Sequence, residues 1–155
     1  MKIRVVRGSA VAPTKMASYD AALVDANIHN YNLIHVSSVI PADATVEFVD
    51  TAPDLGSVGD ELTVVEARAT SAAQSVSAAL AWAESEEGPG LFYEAAGEES
   101  PERTRERVEA GLEAGQALRE WSFFDHEVVT ARAEPDEGFA TAAVLAVYGE
   151  GRPIR

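Results

Sequence analysis

NLIHVSSVIP, residues 32–41, reads as a buried strand whose apolar run is broken by two adjacent hydroxyls, Ser37 and Ser38, before a proline. Pro41 has no amide donor and holds its predecessor extended, so one reading is a strand end whose serines satisfy backbone groups near a turn. The other reading makes the peptide bond between the two serines a reactant. What surrounds the stretch decides how it is placed in the fold.

Upstream, KIRVVRGSA reads as a short β-branched strand ending at Gly8, and Pro13 marks a loop. From Thr14 the period changes. Met16, Tyr19, Leu23 and Ala26 recur at three- and four-residue steps, which predicts an amphipathic helix ending near Asn27, with Asp20 on a neighbouring face. Downstream, TVEFVD alternates as a strand, a Pro/Gly loop follows, and ELTVVEARATS resumes extended structure. AQSVSAALAWAES is torn between alanine, which favours helix, and the alternation of Val76, Ala78 and Leu80, which favours strand; we read a strand. GLFYEAAG is a short aromatic strand between glycines. SPERTRERVEAGLEAGQALREW is a helix capped by Ser100, with Pro101 in its first turn and a stripe of Val108, Leu112, Leu118 and Trp121. SFFDHEVVTARAE and GFATAAVLAVYG, joined at PDEG, read as a closing hairpin before an exposed basic tail. The order gives an α+β fold in one domain over residues 1–155: mostly antiparallel sheet with helices outside.

The 155 residues are 46% hydrophobic and 25% charged, the range of a globular chain. No apolar run is long enough for a membrane span, and MKIRVVRGSA lacks a signal pattern, so the expected setting is cytoplasmic with no membrane partner. There are 26 acidic against 12 basic residues, net −14, and Lys2 and Lys15 are the only lysines. That field repels phosphates and argues against nucleic acid as a partner. It suits a surface adapted to high salt, or a cationic substrate. No cysteine is present, and His29, His35 and His126 have no metal-ligand spacing, so disulfides and thiolate chemistry are excluded and no metal is expected.

Phosphate-cradling glycine loops and a GxSxG elbow are missing, and no histidine is evidently matched to a serine. The serine pair remains. A Ser38 hydroxyl set against the Ser37 carbonyl can attack it and convert the amide to an ester, given an amide donor for the oxyanion such as Asn32. β-Elimination then frees residues 1–37 and leaves dehydroalanine, which takes up water and loses ammonia to become a pyruvoyl group on residue 38. Decarboxylating an amino acid needs an electron sink, and a pyruvoyl ketone supplies one through a Schiff base with the substrate amine. A carboxyl of raised pKa must then return a proton to the α-carbon, and Glu94, within the apolar GLFYEAAG, is the candidate by environment.

The run ASYDAALVDANIHNYNLIHVSSVIPADA, together with GLFYEAAGE, resembles the pyruvoyl-dependent arginine decarboxylases in its D-x-A-L-x-D-A helix, its Asn-Leu-Ile entry and its Val-Ser-Ser-x-Ile-Pro. The resemblance implies an αββα-type sandwich cleaved between Ser37 and Ser38 into residues 1–37 and 38–155, with Ser38 as the pyruvoyl residue. It implies that Asn32 assists processing, that Glu94 is the proton donor and that Asp20 meets the substrate guanidinium. It also implies a homotrimer with sites between subunits, turning L-arginine into agmatine and CO2. The rivals are the same chemistry on ornithine or lysine, and a scaffold that never cleaves and binds cationic metabolites.

Overall fold

The computed structural model, which describes residues 1–155, runs β1 (Lys2–Ala12), α1 (Lys15–Ala26), β2 (Asn32–His35), β3 (Val39–Ile40), β4 (Thr45–Asp50), β5 (Glu61–Ser71), β6 (Val76–Glu84), β7 (Gly90–Gly97), α2 (Pro101–Gln116), β8 (Glu127–Ala133) and β9 (Phe139–Arg152). The strands form two sheets, one ordered β2-β5-β9-β1-β4 and the other β3-β7-β6-β8. Only the β1–β4 and β2–β5 pairings are parallel.

Two central strands explain the layering, because each is apolar on both faces and needs cover on both sides. In β9, Ala140, Ala142, Val144 and Ala146 enter the core between the sheets, while Ala143, Leu145 and Val147 meet Leu23 and Ala26 of α1. In β6, Val76, Ala78, Leu80 and Trp82 face that same inter-sheet core, and Ala79, Ala81 and Ala83 meet Val108 and Leu112 of α2. Helix, sheet, sheet, helix is the result, the expected αββα sandwich.

Both helices begin and end for local reasons. The Thr14 hydroxyl accepts from the Ala17 amide (3.1 Å), and Asn27 turns left-handed (φ 61°), returning its own amide to the Leu23 and Val24 carbonyls. The Ser100 hydroxyl accepts from the Arg103 amide (3.2 Å) ahead of Pro101. Gly8 lets α1 lie directly on β1: a Cβ there would stand 1.9 Å from the Ala22 carbonyl oxygen.

The structure corrects several expectations. Residues 32–41 are two short strands in different sheets rather than one, and most of the stretch is exposed. PDEG does not close a hairpin: β8 lies in the four-stranded sheet and β9 in the five-stranded one, so this turn is a crossover with Glu137 and Gly138 at positive φ. Both apolar stripes are shorter than the periodicity predicts. Met16 is 72% exposed, and Leu118, past the end of α2, is 80% exposed. Residues 122–126 stay outside β8 apart from one bridge between Phe123 and Ser85. No helix is long and apolar enough to cross a membrane.

Candidate active site

The serines lie on the segment that passes from one sheet to the other. β2 ends at His35, and the Val36 amide still donates to the Val64 carbonyl (3.0 Å) in the five-stranded sheet. At Ser38 the allegiance changes, because its carbonyl accepts the Phe92 amide (2.7 Å). That bond extends by one pair the ladder in which Val39 opposes Leu91 and Ile40 opposes Gly90. Side chains alternate along a strand, so Ser38 shares the face of Ile40, the inner face of the sandwich. Ser37 is exposed, and its carbonyl accepts no hydrogen bond from the chain.

The same register places Glu94. It follows Phe92 by two positions on β7 and faces the same way, so it is the diagonal neighbour of Ser38, about 7–8 Å away between Cα atoms and in reach of a long side chain. Beneath them sits an aromatic floor, Trp82 on Phe92 and Phe92 on Tyr148, each pair with ring centroids 6.1 Å apart. The Tyr148 hydroxyl donates to the Val39 carbonyl (2.9 Å), one residue past the serines, and burial pushes its pKa up to about 12.

Glu94 stands on the rim of a recess of about 480 Å³ that it shares with His35, Glu66 and Arg68. It touches solvent, yet the protein around it is enough to raise its carboxyl above the ordinary carboxylate range; His35 works against that rise and Glu66 adds to it. The Glu66 side chain is only 4% exposed. It accepts the Tyr19 hydroxyl (2.6 Å) and His35 Nε2–H (3.1 Å), and it faces Arg68 Nε at 3.6 Å. The Arg68 guanidinium lies 4.1 Å from the centroid of the Tyr19 ring. His35, Glu66 and Arg68 escaped the sequence reading, because alternating polar residues on a strand look like a solvated face.

Asp20 and Asn32 line an adjoining cavity of about 530 Å³ with Tyr19, His29 and Tyr31; His35 and Arg68 border both spaces. The Asn32 side-chain amide donates to the Gly59 carbonyl (2.9 Å). Asn32 starts β2 whereas Ser37 lies beyond its end, five residues on and about 16 Å at 3.3 Å per residue. Within one chain, Ser38 is thus grouped with Glu94 and Asp20 with Asn32, in adjoining spaces that share His35 and Arg68. A more polar cleft of about 430 Å³ between β1, β4 and β8 holds none of the predicted residues, and its charges are spoken for: Arg7 pairs with Asp50 (2.9 Å) and Asp25 accepts the Ser9 amide (3.0 Å).

The groups present suit a ketone made from residue 38. Ser38 is pinned by its own carbonyl, the Ser37 carbonyl is left free for attack, and a carboxyl of raised pKa stands diagonal to the site. A carboxylate in a partly apolar cavity, as Asp20 is, can take a guanidinium through two charge-assisted hydrogen bonds.

The sequence as a whole is similar to known proteins. A sequence model of the family described as pyruvoyl-dependent arginine decarboxylase (PvlArgDC) matches residues 2–153. The pyruvoyl-dependent arginine decarboxylase of Halobacterium salinarum is 56% identical over 155 residues, 99% of this chain and 97% of that one. The proteins of that name from Pyrococcus horikoshii and Methanopyrus kandleri are 37% and 32% identical, each over 94% of this chain and 92% and 94% of their own.

Proposed function

The chain belongs to the pyruvoyl-dependent arginine decarboxylase family, and from that premise we propose that one domain, residues 1–155, cuts itself between Ser37 and Ser38 and converts L-arginine to agmatine and CO2. The observation that carries the reading is the pairing of Ser38 with Phe92, which sets Glu94 on the diagonal of the reacting residue. The Ser38 hydroxyl attacks the Ser37 carbonyl, β-elimination of the ester that forms frees residues 1–37 with a carboxylate end, and the dehydroalanine left on residue 38 takes up water and loses ammonia, so that the 38–155 fragment starts with the pyruvoyl group. That ketone supplies the sink for the electron pair released when CO2 leaves. Asp20 holds the substrate guanidinium, and Glu94, whose carboxyl partial burial raises above the ordinary carboxylate range, gives a proton to the α-carbon.

Asn32 stabilises the oxyanion of processing by reaching the serines of a neighbouring subunit, since its own lie too far along the chain. We therefore read the working enzyme as a homotrimer whose sites lie between subunits. Ile34 and Val36, each 42% exposed beside the serines, support a face that another subunit covers. The reaction needs no nucleic acid or membrane, and the setting we propose is the cytoplasm.

Denaturing intact-mass spectrometry of protein kept in high salt tests the reading. Two fragments, 1–37 and a blocked 38–155, are expected, and a single uncut chain in active protein would overturn it. Turnover of arginine, ornithine and lysine under matched salt tests the substrate, and preference for either of the others would sink that part. Glu94→Gln should cleave itself but decarboxylate poorly.

A further inference from the structure

We infer that His35, held by Glu66, is a positioning residue for Glu94 whose charge governs the proton that Glu94 delivers. The inference rests on the reading of Glu94 as proton donor and deepens it. A carboxylate as buried as Glu66 is costly unless well partnered, and the chain surrounds it with donors from three elements: Tyr19 of α1 (2.6 Å), His35 of β2 (3.1 Å) and Arg68 of β5 (3.6 Å). This fixes the imidazole at the last residue of β2, two positions before Ser37, at the border of both cavities. The recess is thus lined by one imidazole and two carboxylates. The titratable or charged groups facing it are His35, Glu66, Arg68, Tyr19 and Glu94, with Asp20 across the adjoining cavity; β6 presents Leu80 opposite Glu94 and adds no charge.

The signs follow. Imidazolium stabilises the Glu94 carboxylate and so loosens its proton, whereas ionised Glu66 tightens it. Each charge removed singly must move Glu94 in the opposite direction. His35→Gln, which keeps a hydrogen-bonding group without the charge, leaves Glu94 protonated to higher pH. Glu66→Gln releases that proton at lower pH.

The test is the pH profile of kcat for the cleaved enzyme and for His35→Gln, Glu66→Gln, His35→Arg and Glu94→Gln. The limb that falls as Glu94 ionises should shift up by about half to one pH unit in His35→Gln and down by a similar amount in Glu66→Gln. His35→Arg, which restores a cation, should bring it back. Glu94→Gln should erase the limb. If Glu94→Gln retains it, the donor reading falls and the inference with it. If Glu94→Gln erases it while the other variants leave it in place or shift it together, the inference alone is overturned. For any variant that does not cleave, ¹³C NMR titration of the Glu94 carboxyl in the uncut chain, compared with Ser38→Ala, applies the same criterion without turnover.

Discussion

Gly8→Ala converts a packing detail into a kinetic prediction. A methyl group on residue 8 would sit 1.9 Å from the Ala22 oxygen and 2.9 Å from its carbonyl carbon, and 3.1 Å from the Ala26 nitrogen. These are backbone atoms of α1, which no rotamer can move aside. Ordinary contact begins at 3.4 Å, so the helix must recede by about 1.5 Å, the difference between 3.4 and 1.9 Å. Overpacking of this kind costs about 1–3 kcal/mol. The larger effect concerns substrate, because Asp20 rides on the same helix and a 1 Å displacement of a binding group can cost about 10²-fold. The serine pair is anchored on β7 rather than α1, so self-cleavage should go to completion. KM for arginine should rise at least about tenfold and thermal stability should drop, read by steady-state kinetics and a melt in high salt. A cleaved variant with unaltered KM and melting temperature would refute both the contact and the role given to Asp20.

Two further predictions follow from other parts of the fold. Tyr148→Phe removes the donor to the Val39 carbonyl, a bond worth about 1 kcal/mol, so the time course of fragment formation by mass spectrometry should slow about fivefold while the aromatic floor stays packed; an unchanged half-time would show that this bond does not align the serines. With a net charge of −14, the melting temperature should fall as NaCl is lowered from molar to tenth-molar, since the screening length grows from about 3 Å at 1 M to about 10 Å at 0.1 M; a flat or opposite trend would remove salt adaptation as the reason for the acidity.

The layers were legible where periodicity and capping agreed. Ser100 and Pro101 announce α2, and the alternation of Val76, Ala78 and Leu80 outweighs the alanines of β6, whose small side chains let sheet and helix approach. Pairing was less legible. PDEG has the chemistry of a tight turn, but turn chemistry does not say whether the next strand joins the same sheet, and β9 crosses to the other because both of its faces are apolar. NLIHVSSVIP misled for a related reason. Its apolar residues suggest burial, yet within one chain Ile34, Val36 and Val39 face outward. Of the candidate site, Ser37, Ser38, Asn32, Asp20 and Glu94 could be named from the sequence, but which of them lie near one another could not, since that depends on register between strands far apart in sequence. Glu66 became noticeable only when its burial was known.

The transfer of the chain from one sheet to the other at Val36–Ser38 has a consequence for reversibility. A cut there gives two pieces that share a sheet: residues 1–37 keep β1, threaded between β4 and β9 of the longer piece. The short piece could not leave without drawing β1 out from between β9 and β4, so the two pieces would behave as one body. Once denatured, a subunit processed as proposed would have to be rebuilt from two molecules, and a ketone in place of the amine of residue 38 would prevent the bond from being remade. Refolding after processing would add an association of the two fragments that slows on dilution, a step that folding of the uncut subunit does not need. The proposed self-cleavage would thus exchange a recoverable fold for one assembled once.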